Sequence, residues 1–282
     1  MSVWFITGTS RGFGAALTAE ALRRGHQVVA TARNPKVVAE AHPDAGDRLL
    51  AVPLDVTDQH QAADAVRAAV ERFGRIDVLV NNAGAGLFGA VEESSDDEVR
   101  AQYELNVLGQ LRVIRAVAPV MRGQRAGQIL NISSLFAVGA LHGFGVYSST
   151  KAAMTSLSEA LRAELAPFEV SVTAVELGLF RTDFSDESSL RVAGDRLAAY
   201  GDGPVAQMWQ AVRQVNHHQP GDPARAASVL VDLVGSGRAP ARLPLGRDTV
   251  ARIEERIEEL RAELAEWREL AGSTDHPEVP LD

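Results

Sequence analysis

Short apolar runs alternate along the chain with longer stretches whose apolar positions recur at helical spacing. Val3–Thr7 reads as a buried strand, followed by a glycine-rich turn and a helix to about Arg24, with Gly25 as its stop. Further strands are expected at 28–32, 49–54, 78–81, 128–133 and 171–176, and helices at 59–73 (ended by Gly74), 96–122 and 149–166. Most of these strands are near-continuous Val/Ile/Leu-rich runs, which marks a parallel sheet covered on both faces. The order predicts an α/β fold, a doubly wound parallel sheet forming a single domain over residues 1–246, with ligands at the carboxyl ends of the strands.

Two segments break this rhythm. Residues 184–220 are irregular, with Gly201, Gly203 and Pro204 among scattered apolar positions, as expected of a substrate lid. Residues 247–282 form a C-terminal helical extension and tail. There Val250, Ile253, Ile257, Leu260, Leu264, Trp267 and Ala271 recur at spacings of three and four between Glu and Arg. Such a seam either packs on its own domain or joins subunits, as in a dimer or tetramer. Residues 272–282 read as a loose terminus.

Composition narrows the chemistry. The 28 basic and 37 acidic residues leave a net charge of −9, which argues against a nucleic-acid partner. The absence of cysteine excludes disulfides, thiolate catalysis and Cys-ligated zinc. No run approaches the length of a membrane span, and a first strand at Val3 leaves no room for a signal peptide, so a cytoplasmic protein is expected. His142, His217 and His218 have no metal-ligand spacing; they read as surface or packing residues, with substrate contact as the alternative.

Only two of the basic residues, Lys36 and Lys151, are lysines, and Lys151 stands four residues after Tyr147. A position needing only a surface cation would carry Arg in this chain, and the two are not equivalent. Chance places a Lys four residues after one of three tyrosines in about 2% of shuffled chains, so the pair needs context. Context comes from Gly8-Thr9-Ser10-Arg11-Gly12-Phe13-Gly14 after the first strand, where glycines admit a pyrophosphate to a helix N-terminus. The second strand ends in Ala32-Arg33, with no carboxylate for a ribose 2′-OH. Arg33, with Arg11 as a second cation, suits a 2′-phosphate, which predicts NADP(H) over NAD(H).

Together these residues resemble the short-chain dehydrogenase/reductase family, a Rossmann-type fold, over about Val3 to Gly246. Gly8-x-x-x-Gly12-x-Gly14 matches its phosphate loop. Leu54-Asp55-Val56 resembles the segment that holds adenine, and Asn81-Asn82-Ala83-Gly84 its signature after the fourth strand. The resemblance implies Asn106, Ser134, Tyr147 and Lys151 as the catalytic set, with Ser134 preferred to Ser133 because it lies 13 residues before Tyr147. It also implies Thr182 and Gly178 at the nicotinamide, and a water held by Asn106 behind Lys151. One departure is Leu177-Gly178 where the family has Pro-Gly, which restores an N–H and loosens the turn.

The residue types fit hydride transfer between NADP(H) and a carbonyl or alcohol carbon. Charge building on the substrate oxygen needs a proton donor. A phenol titrates near pH 10 when free, and a cation at i+4 favours its phenolate. Lys151 also suits the nicotinamide ribose, and Ser134 the substrate oxygen. Leu135, Phe136, residues 141–144, Leu190, Leu197, Tyr200, Met208 and Trp209 predict a pocket for a small apolar ketone, aldehyde or alcohol. The rival readings are a non-catalytic NADP(H) sensor or scaffold, a lyase or dehalogenase reusing Ser and Tyr, and assembly through the C-terminal helix.

Overall fold

In the computed structural model, which describes residues 1–276, the strands are β1 (Val3–Thr7), β2 (Gln27–Ala32), β3 (Leu49–Pro53), β4 (Val78–Asn81), β5 (Gly86–Phe88), β6 (Gly127–Ser134), β7 (Val170–Leu177), β8 (Leu190–Val192) and β9 (Arg242–Leu245). The helices are α1 (Gly12–Arg23), α2 (Pro35–Ala41), α3 (Gln59–Phe73), α4 (Asp96–Tyr103), α5 (Gly109–Gln124), α6 (Gly145–Leu165), α7 (Pro204–Val215), α8 (Pro223–Gly235) and α9 (Arg247–Gly272). Seven strands form one parallel sheet in the order β3-β2-β1-β4-β6-β7-β9. The order reverses between β1 and β4, which opens a crevice at their carboxyl ends.

Alternation along β1 explains why both faces are covered. Val3 and Phe5 join the core under α3, α5 and α6, whereas Trp4 and Ile6 join the core under α1 and α8. Burying each such side chain contributes about 1.5–3 kcal/mol, so neither face tolerates a polar run. Local chemistry sets the helix ends. The Asp58 carboxylate accepts the His60 and Gln61 N–H groups at the start of α3, and Gly74 ends that helix at φ 75°. Gly25, at φ 81°, follows α1 as the sequence predicts.

Four expectations change in detail. The helix expected over 96–122 is divided by a π-helical turn, Glu104–Leu108, which contains Asn106. The helix expected from 149 begins at Gly145, which puts Tyr147 in its first turn. The region 184–220, expected to be irregular, holds β8 and α7. Strand β8 pairs with β5 in a second, two-stranded parallel sheet, Gly86 facing Leu190. Finally, β9 extends the main sheet beside β7. The C-terminal helix is present as α9, and its seam residues Ile257, Leu260, Leu264 and Trp267 are exposed. Part of the terminus expected to be loose, residues 277–282, lies outside the described residues. No helix among the described residues is long and apolar enough to cross a membrane.

Candidate active site

A cleft of about 560 Å³ opens at the carboxyl ends of β1, β2, β4, β6 and β7, and of the predicted catalytic and cofactor residues all but Gly14 and Asn106 line it. Its floor is the turn between β1 and α1. Gly8 takes φ 71° and Gly12 φ 58°, and a Cβ on Gly8 would lie 2.9 Å from the Ala83 Cα. At Gly14 a Cβ would collide with the Gly8 carbonyl oxygen and the Asn82 side chain. The Asn82 amide clasps this turn, donating to the carbonyls of Thr7 at 2.9 Å and Gly8 at 3.0 Å. The Thr7 hydroxyl in turn accepts the N–H groups of Asn82 and Ala83. No side chain caps α1, nor α5, α6, α7 or α9, but α1 alone of these begins in the phosphate turn, with Gly12 and Phe13 lining the cleft. Its uncapped first turn and positive dipole end lie at the cleft wall, the arrangement that suits a phosphate.

The ends of the cleft differ in character. At one end lie Arg33, Asp55 and Val56. Arg33 is exposed and makes no ion pair among the described residues. Asp55 turns one carboxylate oxygen to the Thr57 N–H and hydroxyl, while Val56 is buried against the start of α5. Ser10 and Arg11 line the middle, where Arg11 donates to the carbonyl of Ser188 in the lid at 2.7 Å, so a strap crosses the opening. Phe13 packs on Phe180 at 6.4 Å between ring centres. Thr182 faces Gly12, its Cβ 3.6 Å from where a Cβ on that glycine would stand. A dinucleotide laid from Arg33 past α1 to Thr182 meets a cation, free N–H groups and a hydroxyl in turn, so the residues present fit such a cofactor.

Tyr147, Lys151, Ser134 and Asn106 are brought together at the other end, and all four are buried. Helix α6 carries Tyr147 and Lys151 one turn apart on the face toward β6. The Lys151 ammonium donates to the Ile132 carbonyl at 2.9 Å, lies 5.8 Å from the Tyr147 ring centre, and packs by Gly84. Ser133 and Ser134 point to opposite faces of β6. The Ser133 hydroxyl is spent on the Lys151 carbonyl and the Thr155 hydroxyl, so Ser134 is the one beside the phenol. Asn106 accepts the Ala85 N–H at 3.0 Å and donates to the Ala85 carbonyl at 2.9 Å and the Thr150 hydroxyl at 3.1 Å. That side chain ties the β4 tail to α6.

Burial dominates the electrostatics here. It pushes the Tyr147 phenol well above its ordinary value, with the Ser134 hydroxyl pulling the other way. Burial also pushes the Lys151 ammonium down to about 8. At neutral pH the phenol keeps its proton and the lysine its charge, the state required of a proton donor beside a cation.

Aromatic rings enclose the phenol. Phe184 lies 5.4 Å from Tyr147, Phe136 5.7 Å and Phe144 6.1 Å, centre to centre. Leu135, Leu141, Leu190, Tyr200, Met208 and Trp209 join the same apolar cluster, but of the residues expected to bound a substrate pocket only Phe136 lines the cleft, and Leu197 is exposed. Phe88 is a missed member, stacked on Trp209 at 4.8 Å. Its only signal was an apolar triplet, Gly86–Phe88, too short to be distinguished from a loop. His142, His217 and His218 are exposed and do not line the cleft; His217 pairs with Asp186 at 3.1 Å. Among the described residues no cluster of His, Cys, Asp or Glu could hold a metal.

Comparisons with known proteins agree with this geometry. Residues 2–192 match the family described as short chain dehydrogenase. The chain is 36% identical to an oxidoreductase of Botryotinia fuckeliana over 95% of its own length and 97% of that protein's. It is 38% identical to a 3-ketodihydrosphingosine reductase of Bacteroides thetaiotaomicron over 66% of each. Among solved structures, one of a short-chain dehydrogenase from Streptomyces avermitilis is 38% identical, with a TM-score of 0.88 over 98% of this chain and 100% of that one. One from Burkholderia phymatum, in complex with NAD, is 25% identical, with a TM-score of 0.80 over 100% and 98%.

Proposed function

The chain belongs to the short-chain dehydrogenase/reductase family of nicotinamide-dependent oxidoreductases, and on that footing we propose that it interconverts an apolar carbonyl compound and its alcohol with NADP(H). The observation that carries this reading is the buried Tyr147, with Ser134 and Lys151 beside it, in the same cleft as the uncapped N-terminus of α1.

Bound in the cleft, NADPH supplies a hydride to the carbonyl carbon. Ser134 holds the carbonyl oxygen near the phenol, and Tyr147 donates its proton to that oxygen as charge develops. Leaving a phenolate in a buried site is costly, and Lys151 offsets it through its charge. The Lys151 ammonium has three donors, one of them spent on the Ile132 carbonyl, which leaves others for the nicotinamide ribose. Asn106 positions α6 against the β4 tail and holds a water behind Lys151, a path by which Lys151 passes a proton to the Tyr147 phenolate and regains one from solvent. Gly8, Ser10, Arg11, Gly12, Phe13 and Gly14 cradle the pyrophosphate, Asn82, Ala83 and Gly84 border the adenosine ribose, and Gly178 and Thr182 meet the nicotinamide. Asp55 and Val56 flank the adenine.

Preference for NADP(H) rests on Arg33, exposed at the rim with no ion-pair partner among the described residues and no carboxylate beside it at the end of β2. The ring cluster around Tyr147 supports an apolar substrate. Similarity to a protein named 3-ketodihydrosphingosine reductase supports a ketone as the reducible group. Following NADPH and NADH oxidation across a panel of apolar ketones and aldehydes tests the proposal. A better kcat/KM with NADPH is expected. Cofactor binding without turnover on any carbonyl would instead favour a sensor.

A further inference from the structure

The end of β7 and the turn after it carry Leu177, Gly178 and Leu179 along the cleft. The turn's first backbone donor is satisfied within the sheet, the Gly178 N–H bonding the Leu245 carbonyl at 2.8 Å. Its second is not. The Leu179 N–H reaches out of the turn to Asp248, 69 residues on, and bonds its carboxylate at 2.6 Å. Asp248 stands in the first turn of α9. Two glycines make room for it: a Cβ on Gly178 or on Gly246 would collide with the Asp248 carboxylate. Gly246 also takes φ 106°, a conformation that L side chains rarely adopt. One turn further along α9, the Arg252 guanidinium packs on Gly139, in the segment joining Ser134 to Tyr147.

We infer that Asp248 is a positioning residue: by accepting the Leu179 N–H it fixes the turn against which the nicotinamide end of the cofactor lies. This rests on the functional reading given above. Leu177 lacks the ring that would hold φ at this turn, and the carboxylate adds a restraint from the C-terminal helix to the backbone bonds that tie Leu179 and Arg181 to Gly221. The helix therefore acts on the site through its first turns, whatever its exposed seam contacts.

Hydrogen exchange on the cofactor-free protein reads the restraint directly, and cofactor kinetics read its consequence. In Asp248→Ala the Leu179 amide should exchange at least about tenfold faster, the loss expected for one charge-assisted hydrogen bond. The kcat/KM for NADPH should fall by a similar factor, while adenosine 2′,5′-bisphosphate, which lacks the nicotinamide, binds within about twofold of the wild type. Asp248→Asn keeps an acceptor oxygen and should restore most of both. Leu179 exchange and NADPH kinetics unchanged in Asp248→Ala would overturn the inference, as would Asp248→Asn behaving like Asp248→Ala. A wild type that binds no NADPH would contradict the functional reading, while Leu179 exchange would still decide the role of Asp248.

Discussion

Replacing Lys151 by Met should stabilise the protein while disabling it. Burial lowers the ammonium from the ordinary 10.5 to about 8, a difference of 2.5 units. At 1.36 kcal/mol per unit, folding with the charge buried costs about 3 kcal/mol below pH 8. Methionine is of similar length and apolar, and removes that cost. It leaves the Ile132 carbonyl without the Lys151 donor, which returns about 1 kcal/mol. The net expectation is a gain of about 2 kcal/mol at pH 7, read by urea unfolding. The sign with pH follows from proton counts. Between pH 8 and 10.5 the unfolded chain holds the Lys151 proton and the folded chain has released it, so wild-type stability rises with pH. Relative to Lys151→Met, the wild type should gain about 1 kcal/mol between pH 7 and 9. Turnover in the variant should fall at least about 100-fold, because the phenolate loses its cation. A variant less stable than the wild type at pH 7, with a parallel pH profile, would refute the reasoning.

Other substitutions separate the remaining roles. Tyr147→Phe should lower kcat by about 100- to 10,000-fold while NADPH affinity, read by fluorescence titration, stays within about twofold. Ser134→Ala should lower kcat at least about tenfold and cost at most about 1 kcal/mol of stability, since its hydroxyl accepts the Phe136 N–H at 3.3 Å, whereas Ser133→Ala should cost about 1 kcal/mol and leave kcat nearly intact, because that hydroxyl is spent on α6. Arg33→Asp should raise the KM for NADPH at least about tenfold and improve NADH, because a carboxylate repels a 2′-phosphate and binds a ribose hydroxyl.

Much of the sheet was readable because a strand buried on both faces must be a continuous apolar run, and Val3–Thr7 and Val78–Asn81 are such runs. The phosphate turn was readable because Gly8 and Gly14 answer to backbone sterics that no other residue satisfies. The four-residue spacing suggested one helical face for Tyr147 and Lys151, but the helical pattern began only at 149, and Ser134, one residue past the expected strand, rested on the family resemblance. What escaped depends on contacts distant in sequence. Strands β5 and β8 are three residues each and exist only through each other, 104 positions apart. The Arg11 strap to Ser188 and the Asp248 bond to Leu179 join segments whose proximity only the finished fold determines. The π turn at Asn106 left no mark either, since the apolar spacing continues through it.

Deuterium transfer is the most direct measurement of the central claim. With NADPH deuterated at the transferred C4 position and an apolar ketone, mass spectrometry of the alcohol should show one deuterium on the carbinol carbon per cofactor consumed. The Tyr147→Phe protein, bound to the same cofactor, should form almost none. NADPH consumption without deuterium in the alcohol, or equal product from Tyr147→Phe, would contradict carbonyl reduction with Tyr147 as the proton donor.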